Sequence, residues 1–247
     1  MLIAPFNDIE SVKAILDEFD GEVAAIIVEP LQRVIAPQPG FLQALRDECT
    51  NRSIVLIFDE IVTGFRLAYG GAQERYGVTP DVCTLGKVIG GGFPLAAIAG
   101  NKSIMDHFDN ALTGDRFLIQ LGTLSGNPVA AVAGLKTMEI LRREHSYERL
   151  ISIGKQLMKL ISEQLDKTGH AYQLSGDPTL FDVVFSDASL IDYRASLTAN
   201  TNKNTRFNQT LREHGVFKSP GKLYPSLVID DDLQVTRDAL VHAAAKL

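Results

Sequence analysis

Lys87 stands where a short apolar run, Val82-Cys83-Thr84-Leu85-Gly86, gives way to a loop with three consecutive glycines, Gly90-Gly91-Gly92. An amine beside an apolar wall loses solvation, so its neutral form is easier to reach. A neutral amine can attack an aldehyde and form a Schiff base. The competing reading is a surface lysine that follows a strand, and for an isolated Gly-Lys pair that reading is the commoner one. Three carboxylates alter the balance. Glu29 closes the apolar run Val23–Val28, and Asp59 and Glu60 close the run Ile54–Phe58. Opposite charges at the ends of several apolar runs say more than any one of them. Further on, Gly122-Thr123-Leu124-Ser125-Gly126-Asn127-Pro128 offers backbone N–H groups, hydroxyls and a helix start. It reads equally as an anion perch or as a helix cap alone.

The elements that must position these residues follow from the hydrophobic pattern. Ile9, Val12, Ile15, Leu16 and Phe19 recur at helical spacing behind Asn7-Asp8, a capping pair, and Asp20-Gly21 stops the helix. Val23–Val28, Ile54–Phe58 and Val82–Leu85 are continuous apolar runs, the pattern of strands buried on both faces. Leu95–Ala99 is expected as a fourth strand, and Phe41–Arg52 as the helix between the first two. Strand, helix, strand at these intervals predicts an α/β fold with a mainly parallel sheet and covering helices. In such a sheet the ligand crevice lies at the carboxyl ends of the strands, where Glu29, Asp59, Glu60 and Lys87 fall.

After a helix over Val129–Arg143 the texture changes. Tyr147–Lys167 reads as an amphipathic helix and Tyr172–Phe185 as strand around Gly176-Asp177-Pro178. Ala199–Asn204 reads as a polar loop, Arg206–His214 as a helix, Leu223–Ile229 as a short strand and Leu233–Leu247 as a closing helix. The expected division is a larger α/β domain over 1–145 and a small α+β domain over 146–247.

Composition narrows the function classes. The 247 residues carry 24 Lys+Arg against 30 Asp+Glu, a formal charge of -6, with no basic stripe, which argues against nucleic acid as the main partner. No apolar run approaches the ~18 residues of a membrane helix. Two cysteines, Cys49 and Cys83, form neither a disulfide framework nor a metal-type spacing, which fits a reducing, cytoplasmic setting. A nicotinamide- or nucleotide-binding domain would need Gly-x-Gly-x-x-Gly opening a helix, whereas the glycines here are consecutive.

Five ordered blocks resemble one family: Val28-Glu29-Pro30, Asp59-Glu60-Ile61-Val62-Thr63-Gly64-Phe65-Arg66, Tyr69-Gly70-Gly71-Ala72-Gln73, Thr84–Gly92 and Gly122–Pro128. The chain resembles the class III pyridoxal-phosphate aminotransferases, fold type I, in particular the branch containing glutamate-1-semialdehyde 2,1-aminomutase. The resemblance implies pyridoxal 5'-phosphate as cofactor, an amine or amino acid and a carbonyl compound as substrates, and a homodimer in the complete protein. It implies Lys87 as the lysine that holds the cofactor and shuttles a proton. Asp59 would pair with the pyridine nitrogen, Ile61 would pack on the ring face, and Thr123 would reach a phosphate across a dimer interface. Glu29, Glu60 and Arg66 receive no role. Glu29-Pro30 is followed by Leu31-Gln32-Arg33-Val34-Ile35, where the aminomutases carry a Gly- and Asn-containing sequence, so general amino transfer is the safer expectation. The family's chains are longer at the amino end, in a part that holds a phosphate loop and an aromatic residue stacked on the ring. The expectation is therefore a C-terminal portion of such an enzyme. The alternative is a catalytically silent fragment with weak cofactor binding.

Overall fold

A computed structural model describes residues 1–229 and 233–247. They form two compact units. The first comprises 1–4, 8–30 and 38–143, and the second 5–7, 31–37 and 144–247.

The first unit is built on a four-stranded mixed sheet. Helix α1 (Ile9–Glu18) starts at Asp8, whose side chain accepts from Ser11 N at 2.9 Å. Strand β1 (Ala25–Val28), helix α2 (Phe41–Asn51), strand β2 (Val55–Glu60), helix α3 (Gly71–Tyr76) and strand β3 (Val82–Leu85) follow in order. A 3-10 turn over Lys87–Gly90 leads to strand β4 (Ala97–Gly100), two short helices α4 (Lys102–Met105) and α5 (Asn110–Thr113), and helix α6 (Pro128–Leu141). The sheet order is β1-β2-β3-β4, with the first three strands parallel. β4 runs antiparallel to β3. The Gly90–Gly92 loop reverses the chain directly after the lysine turn, and such a short link can join only antiparallel neighbours.

Leu42, Leu45 and Cys49 of α2 are buried, and Leu56 and Phe58 of β2 have no exposed surface. The expectation of burial on both faces fails for β1. Ala25 and Ile27 are exposed, Ile27 to 63%, because β1 is an outer strand covered on one face. Asp59 and Glu60 belong to β2 itself rather than following it.

The second unit pairs β5 (Gln173–Asp177) with β6 (Leu180–Val184) as an antiparallel hairpin behind helix α7 (Ser146–Leu165). α8 (Tyr193–Ser196), α9 (Thr201–Glu213) and α10 (Leu233–Ala245) complete it. Ile153, Leu157 and Leu165 of α7 meet Phe181, Phe207 and Leu240 in the core, all nearly or wholly buried. The backbones of α7 and the hairpin touch at Gly154, where an added Cβ would collide with the carbonyl of Pro178. Inside this core, Lys218 Nζ lies 2.8 Å from Asp182 Oδ1, with side chains only 3% and 2% exposed.

Two expectations here are corrected. Thr201–Asn204 is the first turn of α9 rather than a polar loop, because the Asn200 side chain accepts from Lys203 N at 3.0 Å and caps a helix whose first turn faces solvent. Leu223–Ile229 is not a strand. Only Leu223 pairs, exchanging backbone hydrogen bonds with Phe181, and Pro225 ends the match because it has no N–H to donate.

Candidate active site

β2 and β3 lie side by side in parallel, with Asp59 opposite Thr84 and Glu60 opposite Leu85. Their carboxyl ends therefore deliver Asp59 and, two residues beyond Leu85, Lys87 to the same end of the sheet. The Asp59 carboxylate is oriented through one oxygen. Its Oδ1 accepts from Ile61 N at 3.1 Å and from the Thr84 hydroxyl at 3.3 Å. Its Oδ2 makes no hydrogen bond among the described residues and remains available to a cation.

Lys87 opens the 3-10 turn with a left-handed backbone, φ +46°, uncommon for a side-chain-bearing residue. Its side chain is exposed, so the expected desolvation by an apolar wall does not hold within this chain. Gly86 before it is extended and buried, and Ile61 Cδ1 sits 3.0 Å from where a Cβ would stand. The absence of a side chain at Gly86 lets Ile61 pack closely against the backbone there.

An open pocket of about 1020 Å³ borders these residues. Ile61, Thr84 and Leu85 form one wall, Leu95 and Ala97 another, and Gly122 and Ser125 approach from the loop before α6. Asp59, Lys87 and Thr123 do not line the pocket. Each stands next, or next but one, in sequence to a residue that does. Thr123 is exposed. In the same loop the Asn127 side chain caps α6 by accepting from Ala130 N at 2.9 Å, and Pro128 is the first helical residue.

Glu60 behaves differently from its neighbour. It is 1% exposed and wholly engaged by the loop that follows. Oε2 accepts from Ala72 N at 2.6 Å and the Thr63 hydroxyl at 3.0 Å, while Oε1 accepts from Gln73 Nε2 at 2.9 Å. A Cβ on Gly71, which has φ +67°, would strike the same carboxylate. Glu60 thus fixes the 61–73 segment, and with it Ile61, rather than reaching into the pocket. Glu29 is half-buried just beyond β1. Thr84 opens one of the motif blocks, and its part at the site comes from the parallel pairing of β2 with β3, which puts it beside Asp59.

Neither thiol belongs to this chemistry. Cys49 and Cys83 are buried and unpaired by disulfide, and burial pushes the Cys49 thiol up to about 11. Among the described residues no helix is long and apolar enough to cross a membrane.

The donor set fits pyridoxal phosphate. It supplies a carboxylate with one oxygen fixed and one available for a protonated ring nitrogen, a branched apolar side chain on the pocket wall, and a primary amine at the same sheet end.

Comparison with known proteins bears on this geometry. A model of the family "Aminotransferase class-III" matches residues 4–243. A glutamate-1-semialdehyde 2,1-aminomutase from Prosthecochloris aestuarii is 43% identical over 242 residues, covering 95% of this chain and 55% of the relative. An omega-transaminase from Sphaerobacter thermophilus superposes with a TM-score of 0.91 at 33% identity, over 99% of this chain and 57% of that one. An amine transaminase from an uncultivated Pseudomonas species, solved in its PLP-bound form, gives 0.80 at 27% identity, over 96% and 55%. The chain thus spans a little over half the length of the relatives it matches.

Proposed function

We propose, from the premise that this chain belongs to the class III aminotransferase family, that the complete protein transfers amino groups with pyridoxal phosphate, taking an amine or amino acid and a carbonyl compound as substrates. The observation behind this reading is the Asp59 carboxylate, pinned by Ile61 N and Thr84 through Oδ1 at the sheet end that also holds Lys87. When bound, the cofactor supplies an aldehyde to carry the amino group and a ring that accepts electrons from the carbon losing its proton. Lys87 holds it through Nζ and, once released, takes a proton at Nζ and returns it to a neighbouring carbon. Asp59 Oδ2 keeps a positive charge on the ring nitrogen, since a carboxylate at hydrogen-bond range favours the protonated partner. Ile61 orients the ring face, and Thr123 serves the phosphate of a second copy in a homodimer. The setting is cytoplasmic.

Membership of the aminomutase branch is the finer form of this reading. Its support is the 43% identity to the Prosthecochloris aestuarii relative. The Leu31–Ile35 segment stands against it, and general amino transfer is therefore the form proposed.

The test is to load the complete protein with pyridoxal phosphate, reduce with borohydride, digest, and map the adduct. It is expected on Lys87, with Lys87→Ala abolishing turnover while the fold remains. An adduct on another lysine would sink the assignment. Incubating the enzyme with glutamate-1-semialdehyde alone, and separately with an amine and a keto acid, distinguishes isomerisation from transfer.

A further inference from the structure

We propose that Gly134 and Thr137 of α6 are positioning residues for Lys87, holding the lysine turn in the left-handed conformation it needs. The proposal rests on the reading of Lys87 given above. A side-chain-bearing residue with positive φ persists only where its surroundings over-determine it. At Lys87 those surroundings can be named. On one side, Gly86 is packed under Ile61. On the other, the turn meets α6 backbone to backbone at two points. A Cβ on Gly134 would run into the carbonyl oxygen of Ile89, the third residue of the Lys87–Gly90 turn. A Cβ on Gly91, which closes that turn with φ +57°, would stand 2.6 Å from Thr137 Oγ1 and 2.7 Å from the carbonyl oxygen of Ala133.

Each partner thus occupies the space the other's missing side chain leaves. The Thr137 hydroxyl donates to the Ala133 carbonyl at 3.0 Å, which favours the rotamer that faces Gly91. Gly91 N donates to Val88 O at 3.1 Å, which ties the clamped end of the turn back towards the lysine. Ile89 and Gly90 are buried while Lys87 is exposed. The buried part of the turn is therefore the part that touches α6, and the lysine projects from it. Displacing the turn from α6 removes the constraint on φ at Lys87 and lets the backbone relax to a right-handed conformation, which redirects the side chain.

The experiment compares wild type, Gly134→Ala and Thr137→Val in the complete protein. Two quantities are read besides activity: the rate at which added pyridoxal phosphate becomes borohydride-fixable at Lys87, and the pH midpoint of the visible cofactor band. Gly134→Ala is expected to slow fixation by about tenfold or more and to move the midpoint by about half a pH unit. Thr137→Val, which keeps the shape of the side chain and a helix-compatible residue, is expected to act in the same sense and more weakly. Ile153→Val, a packing change confined to the core of the second unit, is expected to lower the urea midpoint while moving neither readout. The proposal is overturned if folded Gly134→Ala matches wild type in both readouts, or, should that variant not fold, if Thr137→Val does. It is equally overturned if Ile153→Val moves them as far. An adduct away from Lys87 in the wild type is a separate outcome, which removes the Lys87 reading itself and the proposal with it.

Discussion

At the scale of single residues, the pairing of Asp59 with Thr84 makes the sharpest claim. A carboxylate whose Oδ1 is already bonded presents Oδ2 in one direction, so its charge is aimed before any ligand arrives. Asp59→Asn keeps the shape and loses the charge. It is expected to lower kcat/KM for amino transfer by about 100-fold or more, the scale on which loss of a preorganised electrostatic partner acts. Thr84→Val removes only the orienting hydroxyl and is expected to cost about tenfold. Steady-state kinetics of both variants check this, and full activity in Asp59→Asn would refute the charge role. Asp59, Ile61 and Lys87 could be named from motif blocks, because each sits in a run of recognisable neighbours. Thr84 heads such a block too, but its bond to Asp59 depends on strand register and could not be read from the block. Nor could the contrast between Asp59 and Glu60. The two are adjacent and chemically alike, but alternate faces of one strand leave one half-buried beside the pocket and make the other a buried tether.

At the scale of elements, the buried tether and the buried ion pair give opposite lessons. Three donors converge on Glu60 and none of its oxygens is spare. Glu60→Gln turns one acceptor into a donor facing donors, and is expected to cost about 2 kcal/mol of stability by urea unfolding. It should also cost activity, because the 61–73 segment loses its anchor. Lys218→Met leaves the Asp182 carboxylate buried without its cation, and is expected to destabilise by about 3–5 kcal/mol. The double variant Asp182→Leu, Lys218→Met should recover most of that. The pH dependence has a defined sign. Burial pushes the Asp182 carboxyl up against the pull of Lys218, so the folded protein holds that proton more readily than the unfolded chain. This site's contribution is greatest below the ordinary carboxylate value and declines as pH rises from there to the raised folded value. Urea unfolding at several pH values, in wild type and the double variant, measures the slope.

Most elements were legible because their hydrophobic periods are clean, as in α7, where Leu150, Ile153, Leu157 and Ile161 share the buried face. α9 begins with polar residues that no period marks, and 223–229 has the composition of a strand without a partner to pair along its length.

At the scale of the whole molecule, the apolar surface is conspicuous. All four residues of β4 are exposed, and β1 leaves Ile27 63% exposed. On α6, Val129, Val132 and Leu135 are 59%, 66% and 71% exposed. Open strand edges and apolar patches of this kind favour association. The 247 residues expressed alone are expected to self-associate, to bind pyridoxal phosphate weakly and to show little or no turnover. Light scattering and a spectrophotometric titration test this. Tight stoichiometric binding with turnover comparable to a full-length relative would contradict it. Much of the first unit was legible from the alternation of apolar runs and helices. The excursion of 31–37 into the second unit was not, because that assignment follows long-range contacts such as Ser175 Oγ donating to Val34 O at 2.7 Å. The parallel pairing of β2 and β3 also bears on how such proteins can diversify. The lateral offset between Asp59 and Thr84 is an interstrand spacing, about 4.8 Å, and owes nothing to the length of chain between them. Gly77, exposed and with open space around it, lies within that connection after the Glu60 tether is complete. Residues inserted there would lengthen the path from Asp59 to Lys87 in sequence while leaving their separation across the sheet unchanged, and they would emerge before the amino end of β3, away from the carboxyl ends where those two residues stand, so this turn can take added length without disturbing that pair.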